Sequence, residues 1–205
     1  MLLILHQFQF INRAALYMKA FRNTVSNSRF YCAAILLSMI WLVSITNFIG
    51  LLPDIFPKLL PRSLLGLAGI ITMPFLHSNF FHLLSNTFPF IIFSILISLR
   101  GNIYYLKTTL LILSISGVLL WLFGRNAFHI GASGLVFGYF GFLLVRMYYS
   151  PSIASIVTAV GVIIIYGGMI WGVLPQTGHI SWEGHLFGAI AGATTAKIMK
   201  FHHQN

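Results

Sequence analysis

Residues 126–145 read NAFHIGASGLVFGYFGFLLV, a stretch with no charged side chain between Arg125 and Arg146. It is about as long as the roughly 20 apolar residues that cross a hydrocarbon layer of ~30 Å. Near its start, however, stand His129, Ser133 and the glycines 131, 134, 138 and 141. Ser133 is therefore either one more small residue that lets two membrane helices touch, or a hydroxyl placed where water is scarce. Its surroundings decide between the two.

Those surroundings are apolar throughout. Of the 205 residues, 58% are hydrophobic and 7% charged, against about 25% charged in an ordinary soluble domain. The net charge of +10 does not indicate nucleic acid, because the basic residues punctuate apolar runs instead of forming one patch. Further charge-free gaps separate Arg29 from Asp54, Arg62 from Arg100, Lys107 from Arg125, and Arg146 from Glu183. The pattern predicts an all-α, polytopic membrane protein with spans near 31–50, 76–98, 103–123, 133–149, 152–171 and 182–200. Helices are required because isolated strands leave their backbone unsatisfied in lipid.

Six spans would put both termini on one side. Arg13, Lys19, Arg22, Arg29, Arg100, Lys107, Arg146, Lys197 and Lys200 then fall on that side; Lys58, Arg62 and Arg125 fall on the other, with both acids, Asp54 and Glu183. That asymmetry predicts cytoplasmic termini. Residues 1–30 carry their basic groups after the first apolar run, unlike a signal peptide, and are expected to lie along the inner membrane face. The membrane domain is expected over 31–200, with a tail at 201–205. A lone cysteine, Cys32, rules out an intramolecular disulfide and a cysteine metal cluster.

Three polar islands interrupt the apolar helices. In 77–86, HSNFFHLLSN, His82 and Asn86 are four residues apart and share a helical face. In the fourth span, Gly134, Gly138 and Gly141 draw a smooth stripe just after Ser133. In 181–192, SWEGHLFGAIAG, Gly184, Gly188 and Gly192 draw another beside His185. Each island alone is readable as interhelical glue. With six alternating crossings all three lie toward the outer end of their helices, so they can meet at one depth. A hydroxyl, an imidazole and an imidazole–amide pair are the inventory of acyl transfer. A helix beginning at Ser133 and ending at Tyr149 covers only about 25 Å, so Ser133 is expected at a helix start below the outer surface, where unpaired N–H groups favour negative charge.

The order and depth of these motifs resemble the rhomboid intramembrane serine proteases, in their basic six-span bacterial form. The resemblance extends over about 31–200 and implies a six-helix bundle. It implies Ser133 of the Gly131-Ala132-Ser133-Gly134 turn as nucleophile and His185 as general base. His82 and Asn86 would join the Ser133 N–H as oxyanion donors, with His77 as a further, structural or water-organising histidine. Gly134, Gly138, Gly188 and Gly192 match positions of close helix approach, and Phe137 is positioned to pack on the His185 ring. A Ser–His dyad without cofactor or metal is implied, acting as a monomer on transmembrane protein substrates among membrane lipids. Two departures stand out: residues 51–75 lack a Trp-Arg pair, and Phe137 replaces a frequent tyrosine.

Three alternatives compete. A noncatalytic rhomboid-like protein binding membrane helices would need neither Ser133 nor His185. A transporter would need polar groups along a path, whereas the inner halves look poor in them. A metalloprotease lacks His-Glu-x-x-His. Glu183 lies two residues before His185, does not share its helical face, and is expected to mark the lipid–water boundary.

Overall fold

The computed structural model describes residues 29–52, 56–176 and 181–201. The expected surface segment 1–30, except its last two residues, lies outside them, as do Asp54 and all of the tail after Phe201. Among the described residues, seven α-helices follow in order: α1 (Tyr31–Phe48), α2 (Gly69–Thr72), α3 (Phe80–Ser98), α4 (Asn102–Phe123), α5 (Ser133–Tyr149), α6 (Ile153–Tyr166) and α7 (Trp182–Phe201). The 3₁₀ segment Gly167–Val173 continues α6. Apart from the single turn α2, each helix occupies one of the apolar stretches expected from sequence.

Apolar composition makes these helices, and the bilayer keeps them solvated. Ile164, Ile165 and Val157 of α6 project outward, 78%, 71% and 65% exposed, a surface suited to lipid. Four segments are long and apolar enough to cross a membrane: α1, α3, α4 and α6 with its 3₁₀ extension. The chain is thus an integral membrane bundle, but the expected six spans are not reproduced on length and composition. The two others are the central pair. α5 has 17 residues, and α7 carries Glu183, Lys197 and Lys200. Shielded by their neighbours, these helices can hold glycine and polar groups that a lipid-facing helix cannot.

α5 is the axis of the bundle: from Gly134 to Leu143 each of its residues is buried. It runs parallel to α7, since α6 returns the chain between them. A Cβ added to Gly188 would collide with the Gly134 carbonyl, and one added to Gly192 would collide with the Gly138 carbonyl and lie 2.7 Å from the Phe142 nitrogen. Two glycine stripes therefore face each other and set the register of α5 on α7. Below the seam, Tyr139, Tyr105, Thr109 and Ser94 join their hydroxyls at 2.8–3.2 Å. The inner half thus holds more polar groups than sequence suggests. They satisfy one another, which keeps the packed floor closed.

The first long connection is tied to the end of α4. Arg62 adopts φ 57°, unusual for a residue with a side chain, and donates through Nη1 to the Leu122 and Gly124 carbonyls at 3.2 and 2.8 Å. Trp121 Nε1 donates back to the Ser63 carbonyl at 2.9 Å. A tryptophan from α4 and an arginine from the loop thus each hold backbone carbonyls that neighbour the other in the chain.

Candidate functional site

The N-termini of α3, α5 and α7 open onto one cavity of about 970 Å³, lined among others by His82, Asn86, Ser133, Phe137 and His185. The three polar islands meet there. Ser133 is the first residue of α5, so its backbone N–H has no partner within its own helix. The turn before it needs Gly131 twice over. Its φ is +119°, and a Cβ there would lie 2.8 Å from His82 Cε1 and 2.9 Å from Nε2. Glycine lets the His82 ring come up against the turn that carries the serine.

His185 is held by Phe137 and by Gly172. Its ring stacks on Phe137 with centroids 4.1 Å apart and planes 5° from parallel. Its Nδ1 lies 2.9 Å from the Gly172 carbonyl. A carbonyl can only accept, so Nδ1 carries the proton and the neutral ring keeps its lone pair on Nε2. Gly172 fits closely: a Cβ would lie 2.7 Å from Phe137 Cζ and 3.5 Å from His185 Nδ1. No hydrogen bond joins Ser133 Oγ to the His185 ring; the two face a shared space.

On α3, the Asn79 side chain caps the helix by accepting from the His82 N–H at 2.9 Å. The His82 ring nitrogen Nδ1 meets Ser78 Oγ at 3.2 Å. Asn86 donates one Nδ2 hydrogen to the His82 carbonyl at 2.8 Å, and its amide has a second. His77, in contrast, is 1% exposed and lines no part of the cavity. It accepts from the Ala132 N–H at 3.3 Å through Nε2, which places its proton on Nδ1 for donation to Ser44 Oγ at 2.9 Å. Ser44 then donates to the Phe75 carbonyl. This relay pins the Ser133 turn to α1 and to the connection before α3.

Sequence reasoning missed a second brace. His129 is 2% exposed. Its Nε2 donates to the Arg125 carbonyl at 3.1 Å, and its Nδ1 accepts from Ser181 Oγ at 2.6 Å. Ser181 Oγ accepts in turn from the Gly184 N–H at 3.2 Å, the N-cap geometry of a helix start. Burial holds the His129 pKa below the usual histidine range, which keeps its acceptor nitrogen unprotonated. Beside it Arg125 Nε meets Glu183 Oε1 at 3.5 Å. Glu183 is 4% exposed, so it is buried against the loop and does not mark a lipid–water boundary. The available signal was the cap pattern Ser181-Trp182-Glu183-Gly184, with an acid in the first turn.

A family model described as the Rhomboid domain matches residues 65–200. The chain belongs to the rhomboid family. The match takes in the three islands and leaves α1 outside. Among relatives, uncharacterized proteins of Mycobacterium bovis and Mycobacterium tuberculosis are each 38% identical over 143 residues, 65% of this chain and 60% of theirs. A putative rhomboid protein of Acanthamoeba polyphaga mimivirus is 31% identical over 125 residues, 58% of this chain and 67% of its own. The chain spans about 60% of the length of the mycobacterial relatives it matches.

Proposed function

We propose that this rhomboid-family protein is an intramembrane serine endopeptidase. It cleaves peptide bonds in or near transmembrane segments of other membrane proteins, with Ser133 as nucleophile and His185 as base. The observation that carries this reading is the His185 tautomer. The Gly172 carbonyl holds the proton on Nδ1, so the basic Nε2 is available within the cavity that Ser133 borders.

In this mechanism a substrate segment leaves its helix locally, since a helical amide is poorly exposed to attack; weak helix formers lower that cost. Ser133 Oγ attacks the carbonyl carbon as its proton passes to His185 Nε2. The Gly172 carbonyl and the face of Phe137 stabilise the imidazolium. Oxyanion charge develops beside the Ser133 N–H, the second Asn86 N–H and His82. For His82, a Ser78 hydroxyl donating to Nδ1 leaves Nε2–H as the donor. His185 then protonates the leaving amine, the C–N bond breaks, and water admitted through the cavity hydrolyses the acyl-enzyme. A nucleophile and base that share a cavity unbonded tighten when substrate arrives, as catalytic hydrogen bonds often do.

The same proposal has all six long helices crossing a bacterial inner membrane, with cytoplasmic termini, and a monomer as the active unit. Purified protein in lipid should cleave a reporter bearing a weakly helical transmembrane segment. Ser133→Ala and His185→Ala should each abolish cleavage with melting unchanged. Full cleavage by either variant contradicts the proposal.

A further inference from the structure

Hydrogen bonds are unevenly distributed along α3. The His82 carbonyl accepts from two side chains, Ser85 Oγ at 3.0 Å and Asn86 Nδ2 at 2.8 Å. The Ser85 carbonyl accepts from no side chain or loop N–H among the described residues. Its helical partner is missing as well. In an α-helix that carbonyl pairs with the N–H four residues on, which here belongs to Pro89, and proline has no N–H. The helix nevertheless runs through the proline, from Phe80 to Ser98.

Ser85 and Pro89 are four residues apart and so share one side of α3. Ser85 is exposed and Pro89 half-buried, and both line the cavity that Ser133 and His185 border. Ser85 stands about 8 Å along the helix from Phe80, next in the chain to Asn86. At that depth lipid offers no donor, and an unpaired carbonyl is costly to desolvate. Proline is tolerated in a membrane helix where another group satisfies the carbonyl it frees. The open side here is the cavity, so the donor has to come from there. A substrate segment that unwinds brings such donors, because every residue leaving its helix exposes a backbone N–H.

We propose that the Ser85 carbonyl, freed by Pro89, accepts one backbone N–H of the substrate segment as that segment leaves its helix. Pro89 is then a positioning residue, acting through the N–H it does not have. The acceptor holds the unwound stretch beside Asn86 and Ser133. It selects for a residue with a free N–H at one place in the substrate and against proline there. The inference rests on the substrate class proposed above, a transmembrane segment that unwinds.

Binding tests it in two proteins that both carry Ser133→Ala: one keeps Pro89, and the other has Pro89→Ala, which returns an N–H to the Ser85 carbonyl. Pro89→Leu returns the same N–H and serves where the alanine variant fails to fold. The probes are synthetic peptides of a weakly helical transmembrane segment, titrated in phosphatidylcholine vesicles. In each peptide one backbone amide is replaced by an ester, which removes a single N–H. At one position the ester should weaken binding to the Pro89 protein about fivefold, the worth of one hydrogen bond. Pro89→Ala should bind the unmodified peptide about fivefold less tightly and be indifferent to that ester. The effect of the ester on the peptide's own helix is common to both proteins and cancels in the ratio. An ester scan in which no position exceeds about twofold, an equal ester penalty in both proteins, or no binding of the peptides at all would overturn the assignment. Cleavage is measured separately on the chain with Ser133 intact. Lost cleavage with the ester effect preserved defeats the protease reading alone, and cleavage without an ester effect defeats the acceptor alone.

Discussion

Between α5 and α7 the two backbones touch, and glycine is what allows it. Along α6 the chain is also helical and also contains a glycine, yet a Cβ at Gly161 would meet nothing within 4 Å. The seam holds Ser133 and His185 in register. The α6 wall and its 3₁₀ extension, in which no residue is buried, supply the Gly172 carbonyl that sets the His185 proton. The site thus has one side fixed by close packing and another by a lightly held segment. Glycine has opposite meanings on the two sides: at the seam it is a steric requirement, and at Gly161 it only lowers helix propensity.

The largest break in this comparison is Gly192→Leu. Its side chain must displace the α5 backbone, so destabilisation above 3 kcal/mol is expected, at the upper end for overpacking; thermal melting in detergent should show loss of the cooperative transition. Next comes Asn86→Ala, which removes a proposed oxyanion donor. Turnover should fall by about 10²–10³, read from single-turnover cleavage, with melting near that of the parent. His129→Ala strips the Ser181 hydroxyl of its buried acceptor. A loss of about 1–3 kcal/mol is expected, visible as a lower melting temperature, with a smaller fall in turnover than at Asn86. The smallest effect belongs to Gly161→Ala, which should stabilise by about 0.5 kcal/mol through helix propensity; a destabilisation like that at Gly192 would erase the distinction between the two helices.

Much of this was legible in the sequence because membrane helices report themselves through long gaps between charges. The start of α5 at Ser133, the facing glycine stripes and the shared cavity of His82, Asn86, Ser133 and His185 follow from spacing and alternate crossing. The span count was less legible. α5 and α7 are shielded by other helices, so their composition is set by protein contact instead of by lipid. His77 was expected as a structural or water-organising histidine, but its partners, and the whole brace at His129, were hidden. A buried histidine declares its role only through the partners that fix its tautomer, here Ser44 and Ala132 for one and Ser181 and Arg125 for the other. Glu183 was misplaced for a related reason: its partner, Arg125, lies in a loop 58 residues earlier, beyond the reach of local pattern.

Covalent labelling of Ser133 by a serine-directed phosphonylating inhibitor tests the central claim most directly, because it needs no known substrate. The protein in lipid should take up one label, mapped to the peptide containing Ser133, and His185→Ala should lose it while keeping the parent's melting behaviour. Absence of label on Ser133 in well-folded protein, or labelling undiminished when His185 is replaced, would contradict the account.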